Sequence, residues 1–172
     1  EGYFDRLGVG ALWISPHIKN PPDAYRDAMP PHKKFTGYHG YWPVSFEETD
    51  PHFGTLEELK TLVAEAHRHG IKVILDMVLN HVHNTNPLYK KAHPEWFSGM
   101  MLPDGRKNIR LFDERPEDTW FDEFLPDFDY SRNPAADMRR RPPYAPSPNW
   151  NCNQGTRSLA ETWIDPAGSG VA

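Results

Sequence analysis

A helix that runs straight into an apolar strand constrains this chain more than any other feature. Thr55-Leu56-Glu57-Glu58 fits a capping box, with Thr55 at the N-cap and the Glu58 side chain reaching back to it. Leu56, Leu59, Val63 and Ala66 recur at helical spacing, and Gly70 supplies the C-terminal stop. Lys72 to Leu79 follows at once as a β-branched, apolar run. An earlier run, Ala11 to Ser15 (ALWIS), is bounded by Gly10 and Pro16 and reads as a second strand. Two strands buried on both faces and joined through a helix predict a βαβ unit, hence a parallel sheet and an α/β fold. Upstream, Tyr3, Phe4 and Leu7 read as the last turn of a helix closed by Gly8. The chain opens without Met and is expected to be an internal piece of a longer protein.

Two long irregular stretches decide where function lies. One runs from the first strand to Gly54, and the other from His81 to about Tyr130, rich in Pro, Gly, Trp and charge. Both leave the C-terminal ends of parallel strands and so share one face. Loops of this length inside a compact domain are usually functional, and that face carries the site in barrels and open sheets alike.

The strand Lys72 to Leu79 contains Asp76 and is followed by Asn80-His81. A carboxylate inside an apolar strand needs a partner or a wet end. Asp76 and Asn80 are four apart and share a strand face, with His81 turning out at the end. On spacing alone, Asp76 fits a structural pairing with an arginine, and His81 a strand cap, as well as a site. His81-Val82-His83 also fits a metal-ligand pair of a metal-dependent hydrolase, although nine histidines make chance pairs common. Tyr38 to Trp42 (YHGYW) either plugs the core or builds a stacking platform beside His39. Leu125 to Asp129 (LPDFD) is, as a bare pattern, a surface turn more often than a calcium site.

Net charge is −5, and no basic cluster is interleaved with aromatics, so nucleic-acid binding has no support. No apolar stretch is long enough to span a membrane, and no signal peptide is visible. Cys152 is the only cysteine, which rules out an internal disulfide. Phosphate-binding loops and the nucleophile elbow G-x-S-x-G are missing. Aromatics at 13% suit carbohydrate sites, where flat rings cover sugar faces, and suit core packing equally.

Taken in order, YFDRLGVGALWISP, GYHGYWPVSFEETDPHFGT, IKVILDMVLNH and LPDFD resemble the α-amylase family of glycoside hydrolases (family 13), over roughly Tyr3 to Pro134. The resemblance implies a fragment of a (β/α)8 TIM barrel. Ala11 to Ser15 would be the second strand and Lys72 to Leu79 the third, so residues 1–81 form part of the catalytic barrel. Residues 82–130 would be a small inserted domain. The substrate would be a starch-like α-glucan or maltooligosaccharide, attacked at α-1,4-glucosidic bonds with retention. By the same resemblance His81 holds the sugar at the cleavage point, Tyr41 stacks on it, and His39 and Trp42 stand beside it. Asp76 supports them through a later arginine. Asn80 and Asp127 become calcium ligands that tie the inserted domain to the barrel.

The chain also departs from that family. The nucleophile belongs in G-x-R-x-D, and Gly155-Thr156-Arg157-Ser158-Leu159 puts leucine where the aspartate should stand. No catalytic residue is therefore assigned. Residues 131–172 lack the expected amphipathic helix until Thr162 to Gly168, which points to a reading-frame fault or gene fragment near Asp137 to Gln154 rather than a true insertion. A non-catalytic family member that binds carbohydrate or a partner protein is the alternative. Two strands with both edges open predict an isolated chain prone to aggregation.

Overall fold

A computed structural model describes residues 2–129. Ala11–Ile14 (β1) and Lys72–Leu75 (β4) pair in parallel, Leu12 against Val73 and Ile14 against Leu75. Leu56–Arg68 (α2) connects them, and its capping box is formed as the sequence predicts. Glu57 and Glu58 in its first turn and His67 and Arg68 in its last complement the helix dipole. Gly70 follows in the left-handed conformation, where a side chain would be strained. Tyr3–Leu7 (α1) ends at Gly8, also left-handed.

Leu59, Val63 and Ala66 are buried on α2. Leu59 and Val63 join Ile18, Phe46, Val78 and Val82 in the main core, with Ile14, Val73 and Leu75 packed against it. Each fully buried aliphatic side chain of this kind contributes roughly 1.5–3 kcal/mol.

Two sequence expectations need correction. The strands are covered on one face only: Leu12, Ile14, Val73 and Leu75 are half-buried, whereas Ala11, Trp13, Lys72 and Ile74 are exposed. A single helix covers one side of a two-stranded sheet, and no other described element lies over the other. β4 also stops at Leu75 rather than Leu79. Asp76 still donates its N–H to Ile14 O at 3.2 Å. In the parallel register the next rung needs an N–H at position 16, and Pro16 has none. Asp76 thus lies just past the sheet, at the wet end of the strand.

The long connection after β1 is pinned at its base, where Lys19 N–H reaches Glu48 O and Asp50 N–H reaches His17 O. It carries a two-residue antiparallel pair, Tyr25–Arg26 (β2) with Lys34–Phe35 (β3). The segment after β4 includes a π-turn at Leu88–Ala92 and a 3-10 turn at Pro94–Trp96. Its end then returns to its beginning: Val82 N–H reaches Pro126 O, Phe128 N–H reaches Asn80 O, and Asn84 N–H reaches Phe124 O. Among the described residues no helix is long and apolar enough to cross a membrane. The reading-frame fault expected near Asp137 to Gln154, the Gly155 to Leu159 near-motif and the helix end expected at Thr162 to Gly168 fall outside the described residues.

Candidate functional site

Three sequence-distant stretches meet beyond the ends of β1 and β4. The loop 38–42 is pressed against the chain just after β1: Gly40 has φ of +87°, and a Cβ there would lie 2.2 Å from Pro16 O, so only glycine fits. Its last turn is fixed by a buried asparagine. Trp42 N–H donates to Asn20 Oδ1 at 2.6 Å, while Asn20 N–H donates to Asp50 Oδ2 at 2.9 Å. The stretch 81–83 docks on the same loop through His83 N–H to Pro43 O at 2.9 Å.

This docking brings His39, Tyr41, Asp76 and His81 together. His81 Nε2 lies 2.9 Å from Tyr41 O, and because a carbonyl only accepts, Nε2 carries the proton and Nδ1 the lone pair. Tyr41 N–H donates to His39 Nδ1 at 3.0 Å, which places the proton of neutral His39 on Nε2. Burial holds both imidazoles below their ordinary pKa; the Tyr41 carbonyl partly offsets this at His81, while His39 adds to it. Two neutral imidazoles therefore face the crevice, with Nε2–H of His39 left to donate to a hydroxyl and Nδ1 of His81 left to accept from one. Tyr41 Oη donates to Asp76 Oδ2 at 2.6 Å, and that bond is the main reason its phenol pKa is raised. The partner of Asp76 among the described residues is thus a tyrosine.

His39, Tyr41 and His81 line a cavity of about 760 Å3, with Asp76 behind Tyr41 rather than on the wall. Its floor is the buried cluster Trp42, Phe124 and Leu125, with Trp42 edge-on to Phe124 at 4.7 Å and to His39 at 5.0 Å. Trp42 is therefore a floor residue, packed on its neighbours, rather than an open stacking platform. On the far side stand Phe35, Phe112 and Phe121, together with Arg110, whose Nη2 contacts Asp27 at 2.9 Å and buried Asp122 at 3.0 Å.

Asn80 and Asp127 are also brought together, from 47 positions apart, the Asn80 amide donating to Asp127 Oδ1. Asp127 is buried, and its pKa is pushed up to about 8, first by burial and then by Asp118, with Asp129 adding to it and Asn80 opposing. A buried carboxylate bonded to an amide and to no cationic side chain among the described residues, with that amide able to turn its oxygen inward, suits a hard cation such as calcium. The His-x-His pair gains no third ligand among the described residues. His81 Nε2 is bonded to Tyr41 O, while His83 Nδ1 contacts Thr85 Oγ1 at 2.7 Å and its ring is set against Tyr25 and Phe124. Among the described residues no three His, Cys, Asp or Glu side chains gather as a metal-holding group.

The family model described as alpha amylase, catalytic domain, matches residues 2–159. The chain belongs to the α-amylase family. It is 35% identical over 114 residues to an α-amylase of Streptomyces lividans, covering 65% of this chain and 12% of that protein. It is 38% identical over 105 residues to a cyclomaltodextrin glucanotransferase of Geobacillus stearothermophilus, covering 59% of this chain and 14% of that one. Among solved structures, the α-amylase of Geobacillus thermoleovorans complexed with acarbose superposes with a TM-score of 0.57 at 36% identity, over 80% of this chain and 27% of that chain. An Anoxybacillus α-amylase gives 0.56 at 32% identity, over 80% and 26%. The chain thus spans about an eighth of the curated relatives' length.

Within this α-amylase-family chain the sequence motifs supply the near wall of the crevice and miss the far one. Arg110 and Asp27 are 83 positions apart, and Ala28 N–H meets Asp122 across 94. No local spacing links such residues. The aromatics Phe112 and Phe121 in an otherwise charged segment, flanked by Arg110 and Asp122, were the one available hint.

Proposed function

We propose that this chain forms part of the substrate crevice of a glycoside hydrolase acting on α-1,4-glucosidic bonds of starch-like glucans or maltooligosaccharides with retention. The observation that carries this reading is the convergence of His39, Tyr41 and His81 in one cavity of about 760 Å3 beyond two parallel strands. Two neutral imidazoles and a phenol offer hydroxyl partners, and the Tyr41 ring offers a face for a pyranose. β1 and β4 are the second and third strands of a (β/α)8 barrel, and residues 82–130 form a small domain inserted after the third. The family match over residues 2–159 and the superposition on an α-amylase solved with acarbose support the substrate class.

Retention needs a nucleophile and an acid/base carboxyl roughly 5–5.5 Å apart. Neither role is given to a residue of this chain; its part is to bind and orient. His81 holds a sugar hydroxyl, and Asp76 orients Tyr41 through the 2.6 Å bond. Asn80 and Asp127 would hold calcium, which would fasten the inserted segment to the end of β4 and supply charge to the buried carboxylate.

In a protein carrying the complete barrel, His81→Ala lowers turnover of starch by roughly tenfold or more, the cost of one lost hydrogen bond in a dry site. Far-UV circular dichroism and melting stay as in the parent. Unchanged turnover removes His81 from the substrate site.

A further inference from the structure

The two long loops that frame the crevice meet at a second place, across the cavity from His81. There the β2–β3 hairpin leans on the segment after β4. At its base Tyr25 packs on Trp42 and Phe124, with ring centroids 6.1 and 5.1 Å away. At its tip the contact is polar. Arg110 Nη2 donates to Asp27 at 2.9 Å and to buried Asp122 at 3.0 Å, while Nε donates to Phe121 O at 2.9 Å. Asp122 in turn accepts Ala28 N–H at 3.2 Å and Glu123 N–H at 2.7 Å. One guanidinium and one carboxylate thus fasten Asp27 and Ala28 of the hairpin to residues 83 and 94 positions away.

The backbone is strained on both sides of this contact. Among the described residues only His32 and Arg110 are non-glycine residues with positive φ, 54° in each case. One stands in the turn of the hairpin, and the other carries the guanidinium. Such conformations persist where the surrounding bonds over-determine them, and they gather at functional positions. Arg110 is held by its N–H to Trp120 O at 2.8 Å as well as by its side-chain bonds. His32 is held by its N–H to Met29 O at 2.9 Å and by Nδ1, 3.0 Å from Asp27 O.

We propose that Arg110 is a positioning residue of the crevice, latching the β2–β3 hairpin to the segment after β4 so that the wall opposite His81 stands formed before an α-glucan arrives; the inference rests on the α-glucan reading of the His81 end. Asp27, Phe35, Arg110 and Asp122 line the cavity that His81 lines on the other side, so the latch sets its width. Nε and Nη2 are spent on protein acceptors, which makes the role one of placement. The fork matters here, since a guanidinium reaches two carboxylates and a carbonyl at once, whereas an ammonium is a single point charge. A wall fixed in advance removes the ordering cost that a loose hairpin would impose on binding.

Arg110→Lys is the informative variant, because it keeps a positive charge beside buried Asp122 and removes the fork. Hydrogen exchange of the full 172-residue chain, read by mass spectrometry, is expected to quicken about tenfold in residues 27–35 and to stay as in the parent in α2. Calorimetric titration with maltoheptaose gives an affinity lowered about tenfold, and saturating maltoheptaose slows exchange of residues 27–35 in the variant again. Asp27→Asn, which leaves Arg110 and Asp122 paired, moves all three readings the same way by less. Unchanged exchange of residues 27–35 in both variants overturns the latch. So does a quickening that spreads equally to α2, since Arg110 then only supports the fold. A loosened hairpin with unchanged maltoheptaose affinity overturns the positioning role while the α-glucan reading stands. A parent chain that does not bind maltoheptaose overturns the α-glucan reading itself, and the positioning role with it.

Discussion

In the strand–helix–strand unit, order comes from apolar periodicity, whereas in the segment after β4 it comes from polar groups satisfying a backbone that has no continuous ladder. α2 buries Leu59, Val63 and Ala66 at helical spacing, and its backbone bonds are its own. Between residues 97 and 129 the chain makes only isolated bridges, such as Met101 with Lys107 and Ile109 with Trp120. Buried Asn108 fills the gaps by donating to Gly99 O and Asp118 O. Trp120 Nε1 donates to Ser98 O at 2.9 Å. The comparison teaches that the irregular segment is the more tightly committed of the two. Its tryptophan is 1% exposed, while Trp13 of β1 is 73% exposed.

That contrast predicts the largest effect. Trp120→Ala should cost roughly 3–5 kcal/mol, the sum of lost burial and a cavity, plus an unsatisfied Ser98 carbonyl. Trp13→Ala in the 172-residue chain should change stability by no more than about 0.5 kcal/mol. Urea unfolding of both variants gives the two midpoints. Equal losses would mean that the irregular segment is no better packed than the exposed sheet face.

A smaller effect separates the two ends of the same segment by pH. Asp127, pushed up to about 8, keeps its proton in the folded state while the unfolded chain has already ionised at its ordinary value of 3.8. The folded state then binds more protons, so stability falls as pH rises from about 4 to about 8. His83 acts in the opposite sense. Burial holds it at about 4 against an ordinary 6.5, so stability is lost as pH falls from 6.5 toward 4. Of the two, only Asp127 changes between pH 6.5 and 8. In that window the urea midpoint of the parent should fall, and Asp127→Asn should flatten it. Calcium at millimolar concentration should restore the parent at pH 8 and leave Asp127→Asn unmoved. A midpoint indifferent to calcium in both proteins removes Asn80 and Asp127 as its ligands.

The periodic half was readable because each residue's role follows from near neighbours: the capping box, the apolar face of α2 and the Gly70 stop are all local. The extent of β4 was misread because its limit is set elsewhere, by Pro16 across the sheet, which moved Asp76 from the strand interior to its end. At the site, His39, Tyr41 and His81 stood inside short motifs, yet their convergence depends on buried Asn20, which no motif marked, and on Asp50, which stood inside one without a role. For Trp42 the sequence left a core plug and a stacking platform equally open, and its burial follows from Phe124 packing on it from the far segment. The far wall depends on charged partners 83 and 94 positions apart, and such pairings leave no period in a sequence.

The smallest prediction returns to the periodic half. Thr55 N–H and Oγ1 both donate to Glu58 Oε2, at 2.7 and 2.9 Å, and Glu58 N–H returns to Thr55 Oγ1 at 3.2 Å. Thr55→Ala should cost about 1 kcal/mol, as the loss of one cap does. Glu58→Ala in addition should cost little more, since the two side chains serve one another and their losses are not additive. Gly54→Ala should act through the same box: its φ is +122°, and a Cβ would lie 2.7 Å from Glu58 Oε2, displacing the carboxylate and straining the turn. Urea midpoints of the three variants, read with α2 helicity by circular dichroism, measure this directly. A Thr55→Ala loss as large as that of Trp120→Ala would mean that α2 depends on its cap more than on its buried face, and the contrast between a periodic and a polar-wired half would fail.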